Sequence, residues 1–242
     1  IRNLQIGRSI SKQWGSGLNV GYVPDPFGHP AQLPQILQGF SIDNFLFMRG
    51  MPDTINRLGT LHFNWTSPNG SKVRAYYIKE GYFNAAALGY GHIIGRYDCS
   101  TPDLNLATQQ IEKAIKALEE FEPKHLYLLN NGVDHMPEQK ELPNILQHVR
   151  NNKSDAELSI TQGSFSDFME ALLGIDCSYN YEGDLLGNPD HPILSSVYST
   201  RIYIKQQNHT AQSLLEKYVE PTQALLFSLT NREPDTHLTL YS

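Results

Sequence analysis

Short apolar runs broken by turn residues fill the first part of the chain, and unbroken helical periodicity fills the last part. Residues 18–23 and 44–48 read as two buried strands, the second ending at Arg49-Gly50, and 32–38 between them as a short amphipathic helix. Strand, helix, strand in that order predicts a parallel unit. Residues 61–66 and 72–78 flank Pro68-Asn69-Gly70, which predicts a β-hairpin. Thr101-Pro102-Asp103 supplies a capping hydroxyl, a proline for the first helical position and an acid for the first turn. Leu104, Ala107, Ile111, Ala114, Ile115 and Leu118 then give one apolar face. A third strand is expected over 125–129, running into Asn130-Asn131-Gly132-Val133-Asp134-His135. Beyond it the pattern predicts a helix over 138–150 bent at Pro143, an alternating strand over 156–161 and a helix over 165–173 opened by Ser164.

Repetition of strand, loop and helix favours an α/β barrel or a doubly wound sheet. The stretch 175–195, rich in Gly, Asp, Asn and Pro, reads as a loop or linker. From 199 to 229 the pattern is helical apart from Pro221, with Leu214, Leu215, Tyr218, Val219, Leu225 and Leu226 expected to be buried. A long helix cannot bury such a face alone, so partners from a helical domain continuing past Ser242 are expected. The opening residues 1–7 read as the inside of a helix, which suggests an internal segment of a longer protein.

Composition narrows the function classes. The chain has 242 residues, 40% of them hydrophobic, and a formal charge of -6. It can bury a sizeable core, and it has no basic stripe for a nucleic-acid partner. No apolar run is long enough for a membrane span, and the first residues lack a signal-peptide pattern. Cys99 and Cys177 form no paired motif, so a reducing compartment is the simpler reading. Asn-x-Ser/Thr triplets at Asn64, Asn69, Asn152 and Asn208 weigh slightly toward secretion, although Asn69-Gly70 is better explained as a turn.

The chemistry concentrates where strands end. Pro24-Asp25-Pro26 holds a carboxylate on a stiff loop after a strand, where α/β folds carry their functional groups. Asp134 follows the third expected strand. Two such carboxylates could act as nucleophile and proton donor in glycoside hydrolysis, or Asp134 could cap a helix. His29 and His135, close to them in sequence, could ligate zinc or bond backbone. Arg49 could hold a carboxylate or sugar hydroxyls, or pair with a neighbouring Asp. Phe63, Trp65, Tyr76, Tyr77, Tyr82 and Phe83 form an aromatic cluster suited to core packing or sugar stacking. Arg201 and Lys205 open the last helical region as caps, surface charge or cleft residues.

Taken in order, Gly21-Tyr22-Val23-Pro24-Asp25-Pro26-Phe27-Gly28-His29, Gln32-Leu33-Pro34, Gly39-Phe40 and Phe47-Met48-Arg49-Gly50 closely resemble the glycoside hydrolase family 38 α-mannosidases. Phe63-Asn64-Trp65 with Asn69-Gly70-Ser71, Asn131-Gly132-Val133-Asp134-His135-Met136-Pro137, and the stretch from His191-Pro192 to Ser199-Thr200-Arg201 and Lys205 extend the resemblance across nearly the whole chain. The resemblance implies a retaining, zinc-dependent α-mannosidase. Residues 1–190 would be a partial (β/α)7 barrel and 191–242 the start of a three-helix bundle. It implies Asp25 as both nucleophile and zinc (Zn2+) ligand, Asp134 as general acid and base, and Arg49 in the sugar site. The family's His-x-Asp segment and a later His-Asp segment, which supply the other zinc ligands, do not appear, leaving Asp25 as one of four. Val133, in place of an acid found in some members, resembles bacterial forms. That implies a cytoplasmic enzyme acting on mannose-containing oligosaccharides, small mannosides or mannosylglycerate, with no nucleic acid or membrane partner and a homo-oligomer left open. The competing readings are a metal-dependent carbohydrate deacetylase and a non-catalytic carbohydrate-binding remnant. The first needs an H-x-x-x-H spacing that is absent from the sequence.

Overall fold

The computed structural model describes residues 1–92, 101–153 and 158–230. Two compact units emerge, Ile1–Ile193 and a second one beginning at Leu194.

The first unit is built on a mixed sheet of β1 (Gly21–Val23), β2 (Asn44–Phe47), β3 (His62–Thr66), β4 (Lys72–Tyr77) and β5 (Asn180–Glu182), in the order β1-β2-β4-β3-β5. Pairings β1/β2, β2/β4 and β3/β5 are parallel, and β3/β4 is the antiparallel hairpin expected around Asn69-Gly70. Every residue of β2 is buried, which is why its sequence is continuously apolar after Asn44. Asn44 fits because its side chain serves backbone: it accepts from the Gly21 amide and donates to the Asn19 carbonyl, closing the start of β1.

Around the sheet lie α1 (Arg2–Gln13), α2 (Leu33–Gln38), the single turn α3 (Asp53–Asn56), α4 (Leu104–Lys116), α5 (Leu142–Asn152) and α6 (Phe165–Leu173). The crossover β1-α2-β2 is the expected parallel unit. Phe45, Phe47, Phe63, Trp65 and Tyr77 are fully buried in the main core. Of the aromatic cluster read from the sequence, Phe63, Trp65, Tyr76 and Tyr77 are therefore core packing. A second core joins Ala107 and Ile111 of α4 to Ile145 and Val149 of α5. Ser164 opens α6 through a reciprocal capping box with Asp167, as its sequence predicts.

Several expectations are corrected. The cap of α4 is Asp103, whose carboxylate accepts from Asn105 and Leu106, because a carboxylate one residue before the helix reaches those amides directly. Pro143 sits in the first turn of α5 and starts the helix without bending it, since its missing N–H falls where no intrahelical bond is due. Residues 125–129 form no strand. Leu126, Tyr127 and Leu128 pack against the main core, but their backbone is satisfied partly by side chains. Of the strand expected over 156–161, residues 156 and 157 lie outside the described residues, as does Cys99; 158–161 carry no strand, although Leu158 and Ile160 pack on the second core. The stretch read as a linker contributes β5.

The second unit contains α7 (Ser196–Ser199), α8 (Ile202–Leu214), a π-turn at Leu215–Val219 and α9 (Glu220–Thr230). Pro221 is accommodated just after the π-turn, where the wider winding relieves the clash between its ring and the preceding turn. Leu214, Tyr218, Leu225 and Leu226, expected to be buried, are exposed, and Leu215 and Val219 are half-buried.

Candidate active site

Parallel pairing brings the carboxyl ends of β1, β2 and β4 to one rim. Val23 pairs with Phe47, and Phe47 with Tyr77. Two bonds carry the ladder past the strands, from the Met48 amide to the Pro24 carbonyl and from the Ile78 amide to the Phe47 carbonyl. Asp25, Arg49 and Lys79 therefore leave the sheet side by side. Arg49 Nε donates to Asp25 Oδ1 at 2.5 Å, and its guanidinium lies 5.6 Å from the Phe27 ring centre. Of the readings given to Arg49, the structure supplies the ion pair with a neighbouring acid, Asp25. With Asp25 half open to solvent, such a pair contributes at most about 1 kcal/mol, so its consequence is geometric.

Asp134 reaches the same rim by side-chain bonding. The Asn84 side chain donates to the Leu128 carbonyl and accepts from the Asn130 amide, while the Ala85 amide donates to the Asn130 carbonyl. Gln139 is buried across the Leu88 backbone, accepting from its amide and donating to its carbonyl, and Asn131 bonds both Ala85 and Gln139. These contacts zip residues 84–88 to 128–139. As a result Tyr82 Oη donates to Asp134 Oδ2 at 3.0 Å. Burial pushes the Tyr82 phenol up, and the bond to Asp134 and the charges of Asp134 and Asp25 push the same way. Tyr22 is likewise raised by burial and then by Asp134. Tyr82 thus bonds Asp134 and also feels the charge of Asp25, more than a hundred residues away from Asp134 in the chain. Sequence reading counted Tyr82 only as an aromatic surface and missed Asn84 and Gln139.

A strap closes the rim. Residues 183–193 cross it, pairing His29 with Leu185 and Gly50 with Gly187. A Cβ at Gly187 would overlap the Met51 carbonyl, so only glycine permits that crossing. Farther along, Asp190 accepts from Tyr77 Oη at 2.9 Å and from Lys79 Nζ at 2.8 Å. The ring of His191 bonds the Lys79 carbonyl, and Arg49 Nη1 donates to the Pro192 carbonyl at 2.5 Å. Burial opposes ionisation of Asp190, but bonds from Lys79 and Tyr77 and the Lys79 charge hold its carboxyl below the usual range.

The histidines read as candidate ligands separate. His29 is buried edge-on against Phe45, Phe47 and Trp65, with Nε2 lacking a partner and its pKa pushed down to about 4 by burial despite a bond to the Arg49 backbone. It is a neutral core histidine, because an imidazole enclosed by apolar rings cannot afford a charge. His135 is exposed, in a left-handed turn beside Asp134. Among the described residues, no group of three or more His, Cys, Asp and Glu side chains is arranged to hold a metal. In the second unit, Arg201 and Lys205 line an open groove of about 450 Å³ with Val197, Thr200 and Ile204.

Comparison with known proteins identifies the family. The model of the Glycosyl hydrolases family 38 N-terminal domain matches residues 1–180. A protein of Halalkalibacterium halodurans, provisionally named a mannosylglycerate hydrolase, is 25% identical over 91% of this chain, which spans 25% of that relative's length. Alpha-mannosidase G of Dictyostelium discoideum is 30% identical over 36% of this chain and 8% of its own. Among solved structures, an alpha-mannosidase from Enterococcus faecalis superposes with a TM-score of 0.82 at 22% identity, over 99% of this chain and 26% of that one, a likeness of fold.

Proposed function

The chain belongs to glycosyl hydrolase family 38, and from that membership we propose that its rim forms part of the catalytic centre of a retaining, zinc-dependent α-mannosidase. The observation that supports the reading is the bond from Tyr82 to Asp134, on a phenol that also feels the charge of Asp25 at the rim formed by parallel strand ends. In this reading the first unit is part of a (β/α)7 barrel and the second the start of a three-helix bundle.

Asp25 attacks the anomeric carbon while Asp134 gives its proton to the leaving glycosidic oxygen. Asp134 then takes a proton from water, which attacks the same carbon and releases Asp25. Two inversions give retention. Arg49 fixes Asp25 Oδ1 and leaves Oδ2 for attack; Tyr82 fixes Asp134 Oδ2 and leaves Oδ1 for proton transfer. Zinc, when bound, would supply Lewis-acid stabilisation of sugar oxygens. It takes about four ligands, and the described residues offer Asp25, already engaged by Arg49, with no group of three around it. That set does not make a zinc site, so no step here runs through the metal.

Substrates in this reading are terminal α-mannosides of oligosaccharides or small mannosides. The name of the Halalkalibacterium halodurans relative favours mannosylglycerate as the alternative. A cytoplasmic setting belongs to the same proposal. In the complete enzyme, a fluorinated mannosyl substrate should label the peptide carrying Asp25, and Asp25→Asn should abolish turnover. A label on another residue, or unchanged turnover, overturns the reading.

A further inference from the structure

We propose that Asp190 is a positioning residue for Asp25, acting through the strap and Arg49. The inference rests on the reading of Asp25 as nucleophile. Asp25 is half exposed on a loop, and among the described residues the contact that fixes its Oδ1 is Arg49 Nε. Arg49 is long and flexible, so a single bond to a carboxylate leaves it free to turn. Its second anchor is the Pro192 carbonyl, which belongs to the strap.

The Ile193 amide of the same peptide donates to Asn188 Oδ1, and a second hold on that carbonyl lies two residues earlier. Asp190 is clamped on both oxygens, Oδ2 by Tyr77 at the end of β4 and Oδ1 by Lys79 just beyond it. Lys79 also has its own carbonyl bonded by His191 and its ammonium 5.0 Å from the Phe121 ring centre, so the clamp is itself held on two sides. Upstream, the Gly50 and Gly187 pairing fixes where the strap crosses. The chain of contacts runs from the buried end of β4 through Asp190, the Pro192 carbonyl and Arg49 to the carboxylate on the β1 loop. It ties the end of one strand to the reactive group on another. Asp190 touches no reacting atom in this scheme. Its work is to hold the Arg49 fork at the angle that presents the free oxygen of Asp25.

Kinetics of the complete enzyme test this. Asp190→Ala should slow covalent labelling of Asp25 by a fluorinated mannosyl substrate roughly 10- to 100-fold, the range for loss of an orienting contact. KM should move far less than kcat. Asp190→Asn keeps the shape but only one of the two acceptors and none of the charge, and should recover only part of the rate. In an Arg49→Lys background, where the fork is already gone, Asp190→Ala should add little. Should Asp190→Ala fail to fold, Tyr77→Phe removes one half of the clamp and should slow labelling by a smaller factor. Unchanged labelling in Asp190→Ala or Tyr77→Phe, or losses that simply multiply with Arg49→Lys, would overturn the inference. Absence of any label on Asp25 in the wild type would instead overturn the reading on which it rests.

Discussion

A carboxyl group that must donate a proton and later take one back works best with one oxygen held and the other open. Tyr82 holds Asp134 in this way, through Oδ2 at 3.0 Å. In the complete enzyme, Tyr82→Phe should therefore lower kcat/KM for alkyl mannosides, whose leaving groups need protonation, about tenfold more than for activated aryl mannosides. Equal losses on both would mean that Tyr82 acts on binding and not through Asp134. Asp25 was legible as a positioned carboxylate from the prolines around it, whereas Asp134 was singled out for following a strand over 125–129 that does not form. Tyr82 was not. Its partner is set by the Asn84 and Gln139 side chains, which bond backbone 44 to 51 residues away. Periodicity cannot display a contact of that kind. Arg49 lay between, because strand-end geometry put it beside Asp25 but an arginine next to an acid reads equally as a plain ion pair.

Elements with strong local rules were read correctly: the Asn69-Gly70 hairpin, the capping box of α6 and the continuous apolar run of β2. Those decided by distant pairing were not. Residues 125–129 look like a strand, yet side chains satisfy part of their backbone, while 180–182, in a stretch that looks like a linker, pair with β3. The sheet also buries two imidazoles, His29, read from the sequence as a possible zinc ligand, and His62, which the sequence reading passed over. His29 and His62 both have pKa values pushed down to about 4, by burial in each case and by the Arg74 charge as well for His62. The sign follows directly. The unfolded chain binds these protons near 6.5 and the folded chain only near 4. Stability from keeping them neutral is thus complete above about pH 6.5 and is lost as pH falls toward 4. Each shift corresponds to something on the order of 3 kcal/mol. Asp190 does not confuse this window, since its lowered carboxyl pKa places its effect below it. The denaturant midpoint should fall steeply between pH 6.5 and 4. His29→Gln, which keeps a donor for the Arg49 carbonyl, should remove about half of that slope, and an undiminished slope would show that His29 does not carry the titration.

At the scale of the whole molecule, the chain spans about a quarter of the length of the first relative it matches, and its rim presents one carboxylate of the proposed zinc set. A metal that binds the folded state alone stabilises it by RT ln(1 + [L]/Kd), which is about 2.7 kcal/mol at a hundredfold excess over Kd. One carboxylate, already bonded to a guanidinium, cannot compete with water for zinc at such concentrations. The 242-residue chain should therefore retain well under one zinc per molecule after dialysis, and micromolar zinc should leave its melting midpoint unchanged. The complete enzyme should retain zinc stoichiometrically and lose it on Asp25→Ala. A tight 1:1 site in the chain, removed by the same substitution, would place the missing ligands among its own residues outside 1–92, 101–153 and 158–230. A 1:1 site indifferent to Asp25 would contradict the ligand role itself.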